Sequence, residues 1–167
     1  LLGGGNVQNF MLIADKFVSV PATYELAAAE WTAAEGLNTK VSANIINNGV
    51  LTISEVADKD FAVALTNNGT VKLANGATVV FGAEYTANEG SITSVRSSAI
   101  MKFIKNATIN GNVTVNNDFI AAESATVSFG KTAKVTNNDF ISTNGASANI
   151  INLGTITVAK DNTHTLI

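Results

Sequence analysis

The chain reads as an all-β protein, a right-handed parallel β-helix wound in coils of about 21 residues. Three observations predict it. The pentapeptide Asn116-Asn117-Asp118-Phe119-Ile120 recurs whole as Asn137-Asn138-Asp139-Phe140-Ile141, 21 residues later. A corner ending in glycine, followed by an alternating strand, returns at nearly the same interval along most of the chain. The composition fits both, because asparagine occurs 21 times beside abundant Thr, Val, Ala and Gly. Asn and Gly favour positive-φ corners, whereas Val, Thr and Ile favour strands.

The first 40 residues depart from this pattern. Phe10, Leu12 and Ile13, then Phe17, Val18 and Val20, mark one or two strands between Asn9 and Val20. Pro21, the single proline, opens an alanine-rich run that ends at Gly36. Proline suits a first helical turn, alanine is the strongest helix former and glycine suits the C-terminal αL position. Residues Ala22 to Glu35 are therefore expected as the one helix, burying Tyr24, Ala27, Ala28, Trp31 and Ala34 or Glu35. Residues 1–40 form a strand segment plus a capping helix, and residues 41–167 form the solenoid, all within one structural domain.

From Lys40 onward short apolar runs are broken by Asn and Gly. The glycine corner and its strand appear as Asn48-Gly49-Val50-Leu51-Thr52-Ile53 and as Asn68-Gly69-Thr70-Val71-Lys72-Leu73. They return at Glu89-Gly90-Ser91-Ile92, Asn110-Gly111-Asn112-Val113 and Leu153-Gly154-Thr155-Ile156. A second set of strands is headed by Phe61, Thr78, Ile100, Phe119 and Phe140. A weaker third set is centred on Tyr85, Thr108, Val127 and Ile150.

Three short strands cannot bury their inward residues alone, but coils stacked about 4.8 Å apart pair each strand in parallel with its equivalents. Val71, Ile92 and Val113 are expected in one inward column, with Phe119 near Phe140. Corner asparagines stack as well, and their amides form a ladder. Asn116 over Asn137 and Asn117 over Asn138 are the expected pairs. The alternative fold is an antiparallel β-sandwich, since Asn-Gly pairs at 48, 68, 75, 110 and 144 also signal hairpins. Hairpins do not require corners at one fixed interval, and the solenoid does.

Composition excludes several classes. A net charge of −3 with 10 Lys and Arg gives no clustered basic surface for nucleic acid. No apolar run is long enough to span a bilayer. The chain lacks cysteine, which removes disulfides, thiolate metal sites and cysteine nucleophiles. His164 is the only histidine and stands close to the C-terminus, so no catalytic triad or multi-histidine metal site is built around it in a core. The chain opens Leu1-Leu2-Gly3-Gly4-Gly5 without methionine, and removal of an export signal is one expectation. A polysaccharide-degrading site needs paired carboxylates at glycosidase spacing, or an Asp cluster around Ca2+ with a basic partner. Asp118 and Asp139 are the carboxylates that the repeat sets on neighbouring coils, with Asp60 as a third at a related corner. They are the candidate ligands for Ca2+; otherwise no cofactor is expected.

Residues 41–158 resemble the Asn/Gly/Thr-rich repeats of bacterial surface β-helix proteins, including adhesins and filament-forming exoproteins. The resemblance implies an extracellular or cell-surface location and a non-catalytic role in adhesion or in building a filament. The partners expected are further copies of the chain, other surface proteins or glycans. An exposed coil edge recruits strands, and the apolar segment carrying Phe10, Leu12 and Ile13 is the expected assembly strand. The alternative function is a glycan-binding or polysaccharide-degrading β-helix of the tailspike or lyase kind.

Overall fold

The computed structural model describes residues 44–53 and 64–160 in full, together with the backbone of strands Thr23–Leu26, Glu30–Ala33 and Lys59–Phe61. Every described element is a strand, and the strands form three parallel sheets. The first sheet stacks Thr23–Leu26, Asn44–Asn47, Leu65–Asn67, Tyr85–Ala87, Ala107–Ile109, Thr126–Phe129 and Asn149–Asn152. The second stacks Glu30–Ala33, Val50–Ile53, Thr70–Leu73, Ile92–Val95, Asn112–Val115, Lys134–Asn137 and Thr155–Val158. The third stacks Lys59–Phe61, Thr78–Phe81, Ile100–Phe103, Asp118–Ala122 and Phe140–Asn144. The chain visits the three sheets in turn, so each circuit is one coil of a parallel β-helix.

The pairing rules out the antiparallel sandwich, because every ladder among the described strands is parallel. The Asn-Gly corners do not reverse the chain. At Asn47-Asn48-Gly49 the Gly49 N–H donates to Asn47 Oδ1 at 3.1 Å, and Gly69 N–H donates to Asn67 Oδ1 at the same distance. Each side chain thereby stands in for a backbone turn and passes the chain from the first sheet to the second. Gly69 lies directly against the coil before it, where a Cβ would run into the Gly49 carbonyl. Gly76 has a different reason: its φ of +79° lies in the left-handed region.

The expected helix is corrected over the part that is described. Thr23–Leu26 and Glu30–Ala33 are strands, with Tyr24 in register with Ile45 and Trp31 in register with Leu51. Helix propensity separates ordinary residues by only about 0.7 kcal/mol each. A helix here would leave the Asn44–Asn47 and Val50–Ile53 edges without their backbone partners, and unpaired buried N–H and C=O groups are costly. The other residues between Ala22 and Glu35 lie outside the described set.

Inward residues alternate with outward ones along each strand, and the inward set is the core. Column by column it holds Ile45, Leu65, Tyr85, Ala107 and Val127 on the first sheet. On the second it holds Leu51, Val71, Thr93, Val113 and Val135. Thr93, not Ile92, occupies the expected column; Ile92 points out and is 43% exposed. Aromatic rings fill the centre: Phe81 stacks on Phe103 at 5.1 Å, with Phe119 and Phe129 continuing the series.

The repeated pentapeptide is out of register by one residue. Val115 pairs with Asn137 and Asp118 pairs with Phe140, each 22 residues apart. Phe119 therefore lies over Ile141, and Phe140 occupies the half-buried position equivalent to Asp118. Since side chains alternate with period two, a one-residue slip moves each letter to the opposite face.

Candidate functional site

The corner between the first and second sheets gathers the most connected polar side chains of the described residues. Its inner row is Asn47 and Asn67, both fully buried. Asn47 Nδ2 donates to Asn67 Oδ1 at 2.9 Å and to the Thr70 carbonyl at 2.9 Å. Asn67 Nδ2 donates to the Ile92 carbonyl at 3.0 Å. The outer row runs beside it: Asn68 Nδ2 donates to Asn48 Oδ1 at 2.8 Å, and Asn88 Nδ2 to Asn68 Oδ1 at 2.6 Å. The inner row ends where Ala87 takes the position below Asn67.

Behind the inner row lies a small polar cluster in an apolar core. Tyr85 is wholly buried, and its hydroxyl is 2.8 Å from Thr93 Oγ1. Burial pushes its phenol up to about 12, against the hydrogen bonds from Thr93 and Asn67 that favour ionisation. Ser91 is buried nearby without a hydrogen-bond partner for its Oγ, under the space left by Gly111. Sequence reasoning missed Asn47, Asn67, Tyr85 and Thr93. The available signal was Asn two residues before the corner residue, in Asn47-Asn48-Gly49, Asn67-Asn68-Gly69 and Asn152-Leu153-Gly154.

The predicted site residues fall as follows. Asn116 does not pair with Asn137; Asn138 Nδ2 donates to Asn116 Oδ1 at 2.8 Å instead. Asn137 turns into the core, 1% exposed, and its Oδ1 accepts the Asp139 N–H at 3.2 Å. Asn117 Nδ2 donates to the Ala99 carbonyl at 2.7 Å. One asparagine–asparagine bond between coils therefore stands at this second corner, between Asn138 and Asn116, and neither expected pair forms it. Asp118 and Asp139 occupy non-equivalent positions, since Asp118 is in register with Phe140. Asp60 lies mid-strand in register with Val80. Among the described residues no three His, Cys, Asp or Glu side chains gather as a metal site requires. Phe10, Leu12, Ile13 and His164 lie outside the described residues.

Two shallow grooves cross the walls. One is lined by Gly82, Glu84, Ile104, Lys105, Asn106 and Ser124. The other spans Asn88, Glu89, Asn110, Lys131 and Thr132. Each is lined by one carboxylate and one amine, Glu84 with Lys105 and Glu89 with Lys131. No helix among the described residues is long and apolar enough to cross a membrane.

The most distinctive surface is the face of the coil Asn149–Val158. On the first and second sheets the inward positions of the preceding described coils are buried, but here Ile150 and Ile156 are only partly covered. Of the four exposed large hydrophobic residues among those described, three belong to this coil: Ile151, Leu153 and Val158, the last 42% exposed although it holds the inward position of Val115 and Asn137. Asn149-Ile150-Ile151-Asn152 also repeats Asn44-Ile45-Ile46-Asn47 letter for letter. Comparison of the chain with protein-family profiles, curated proteins and solved structures gives no match.

Proposed function

We propose that this β-solenoid is a non-catalytic structural or adhesive module of an extracellular surface, lengthened into a filament by strand addition at the ends of its stack. One observation carries the reading: among the described residues the Asn149–Val158 coil ends the first and second sheets, with apolar residues uncovered and one strand edge of each left without a described partner. Such an edge templates another strand. The described walls support a structural role, because Asn48, Asn68 and Asn88, and Asn116 and Asn138, spend their side chains on bonds from coil to coil. No cofactor enters this reading, and its partners are further copies or other surface proteins.

The test is negative-stain electron microscopy of the purified chain at neutral pH and micromolar concentration. Filaments with a regular axial repeat are expected. Dispersed particles at every concentration overturn the filament. A second reading, a glycan-binding or glycan-cleaving solenoid, draws on the groove of Asn88, Glu89, Asn110, Lys131 and Thr132. Turnover of a polysaccharide panel, followed by release of reducing ends, would replace the structural reading with that one.

A further inference from the structure

Resting on the assembling role just proposed, we infer that the open face of Asn149–Val158 accepts a second copy of this chain. The strands Thr23–Leu26 and Glu30–Ala33 of that copy would continue the first and second sheets.

The two ends match as edges. Among the described residues, Thr23–Leu26 and Glu30–Ala33 are the outermost strands at one end, and Asn149–Asn152 and Thr155–Val158 are the outermost at the other. Both ends offer four residues to the first sheet and four to the second. Among the described residues the third sheet stops one strand short at each end, with Lys59–Phe61 and Phe140–Asn144. Joined in the register used throughout the stack, Tyr24 lies over Ile150, Leu26 over Asn152, Trp31 over Ile156 and Ala33 over Val158. The backbone register thus sets positions 24 and 31 of the incoming coil against Ile150 and Ile156, which the last coil leaves partly covered.

Asn152 supplies a polar fit. Its Oδ1 accepts the Gly154 N–H at 3.1 Å, as Asn47 does for Gly49 and Asn67 for Gly69. In both earlier coils the Nδ2 then donates forward to a carbonyl at the first residue of the next second-sheet strand, Thr70 or Ile92. Asn152 is exposed, and among the described residues its Nδ2 makes no bond that matches these. In the docked copy the corresponding carbonyl is that of Glu30. An asparagine in the incoming coil is not required, since Asn67 makes its forward bond above Ala87. A head-to-tail contact of this kind does not close on itself, so repeated docking makes a filament.

The test uses the full chain and two kinds of variant. Asn152→Asp keeps the acceptor for Gly154, removes the forward donor and adds one negative charge. It is expected to abolish association in sedimentation velocity while the thermal melt stays in place; Asn75→Asp, the same charge change on an exposed turn elsewhere, leaves association intact. Because the chain has no cysteine, Thr32→Cys with Thr157→Cys places one thiol at each edge of the proposed joint at disulfide range. Oxidation is expected to give a reducible ladder of covalent oligomers, and Thr32→Cys with Thr114→Cys, on an interior coil, gives none. A wild-type chain that is monomeric at every concentration overturns both the docking and the filament reading. Association that survives Asn152→Asp and yields no cysteine ladder overturns this docking alone, and directs the search to the segment containing Phe10, Leu12 and Ile13.

Discussion

Asn67 and Asn68 are neighbours in sequence with opposite duties. Asn67 is buried, accepts from Gly69 and Asn47 and donates to Ile92. Replacing it with alanine strands these partners, and Asn67→Ala is expected to lower unfolding free energy by about 2–4 kcal/mol. Asn68 is exposed, and Asn68→Ala is expected to cost under about 1 kcal/mol in the same denaturant titration. The abundance of asparagine was legible as structural, but parity, which decides which of two adjacent asparagines turns inward, was not. It depends on register, and register is set by the neighbouring coil. Tyr85 makes a pH-dependent prediction. Its phenol ionises near 10 when unfolded and at about 12 when folded, because burial disfavours the phenolate. The folded chain therefore holds the proton longer, and stability that is complete below pH 10 declines as pH rises from about 10 to 12, by up to roughly 3 kcal/mol. Urea midpoints measured across that range should fall for the wild type, and Tyr85→Phe should remove that part of the fall.

At the scale of the strand, the repeated pentapeptide shows how identical letters acquire different surroundings. Phe119 is fully buried in the aromatic series, whereas Phe140 sits half-buried on the equivalent of Asp118. Phe119→Ala is expected to cost about 3–5 kcal/mol, and Phe140→Ala about 1 kcal/mol, by equilibrium unfolding. Equal losses would contradict the register. The recurrence of short strands was legible because Val, Ile and Phe alternate with polar residues and glycine marks the corners. The slip was not, because a 21-residue identity sits in a stretch whose ladder offset is 22, and the extra residue hides in a corner of no fixed length. The strands Thr23–Leu26 and Glu30–Ala33 were obscured by alanine, whose helical preference yields to a ready-made edge. Their own alternation of Tyr24 with Leu26 and Trp31 with Ala33 was the overlooked signal.

Across the whole molecule, each coil contacts only the coils before and after it, so stability is the sum of coils and the joints between them. Amide hydrogen exchange should be slowest in the strands from Leu65 to Asn137 and fastest, among the strands of the described coils, in Asn149–Val158, where one side is open. Adding unlabelled chain at a concentration that assembles should slow exchange in that last coil and in Thr23–Leu26 and Glu30–Ala33, the two edges of the proposed joint, and leave the interior strands unchanged. The architecture was legible because its period is spread over more than a hundred residues and survives local irregularity. The polar cluster of Tyr85, Thr93 and Asn67 was not, because it joins three strands that only the winding brings together.

The ladders also give the stack a mechanical direction. All hydrogen bonds between coils lie along its axis, and the outermost described coils stand at its two extremities. Tension applied between those extremities therefore loads one joint after another and opens the molecule by peeling, coil by coil. Each released coil would pay out about 70 Å of chain at full extension, so the same stack that stands as a stiff rod under compression becomes, under pull, a long compliant tether.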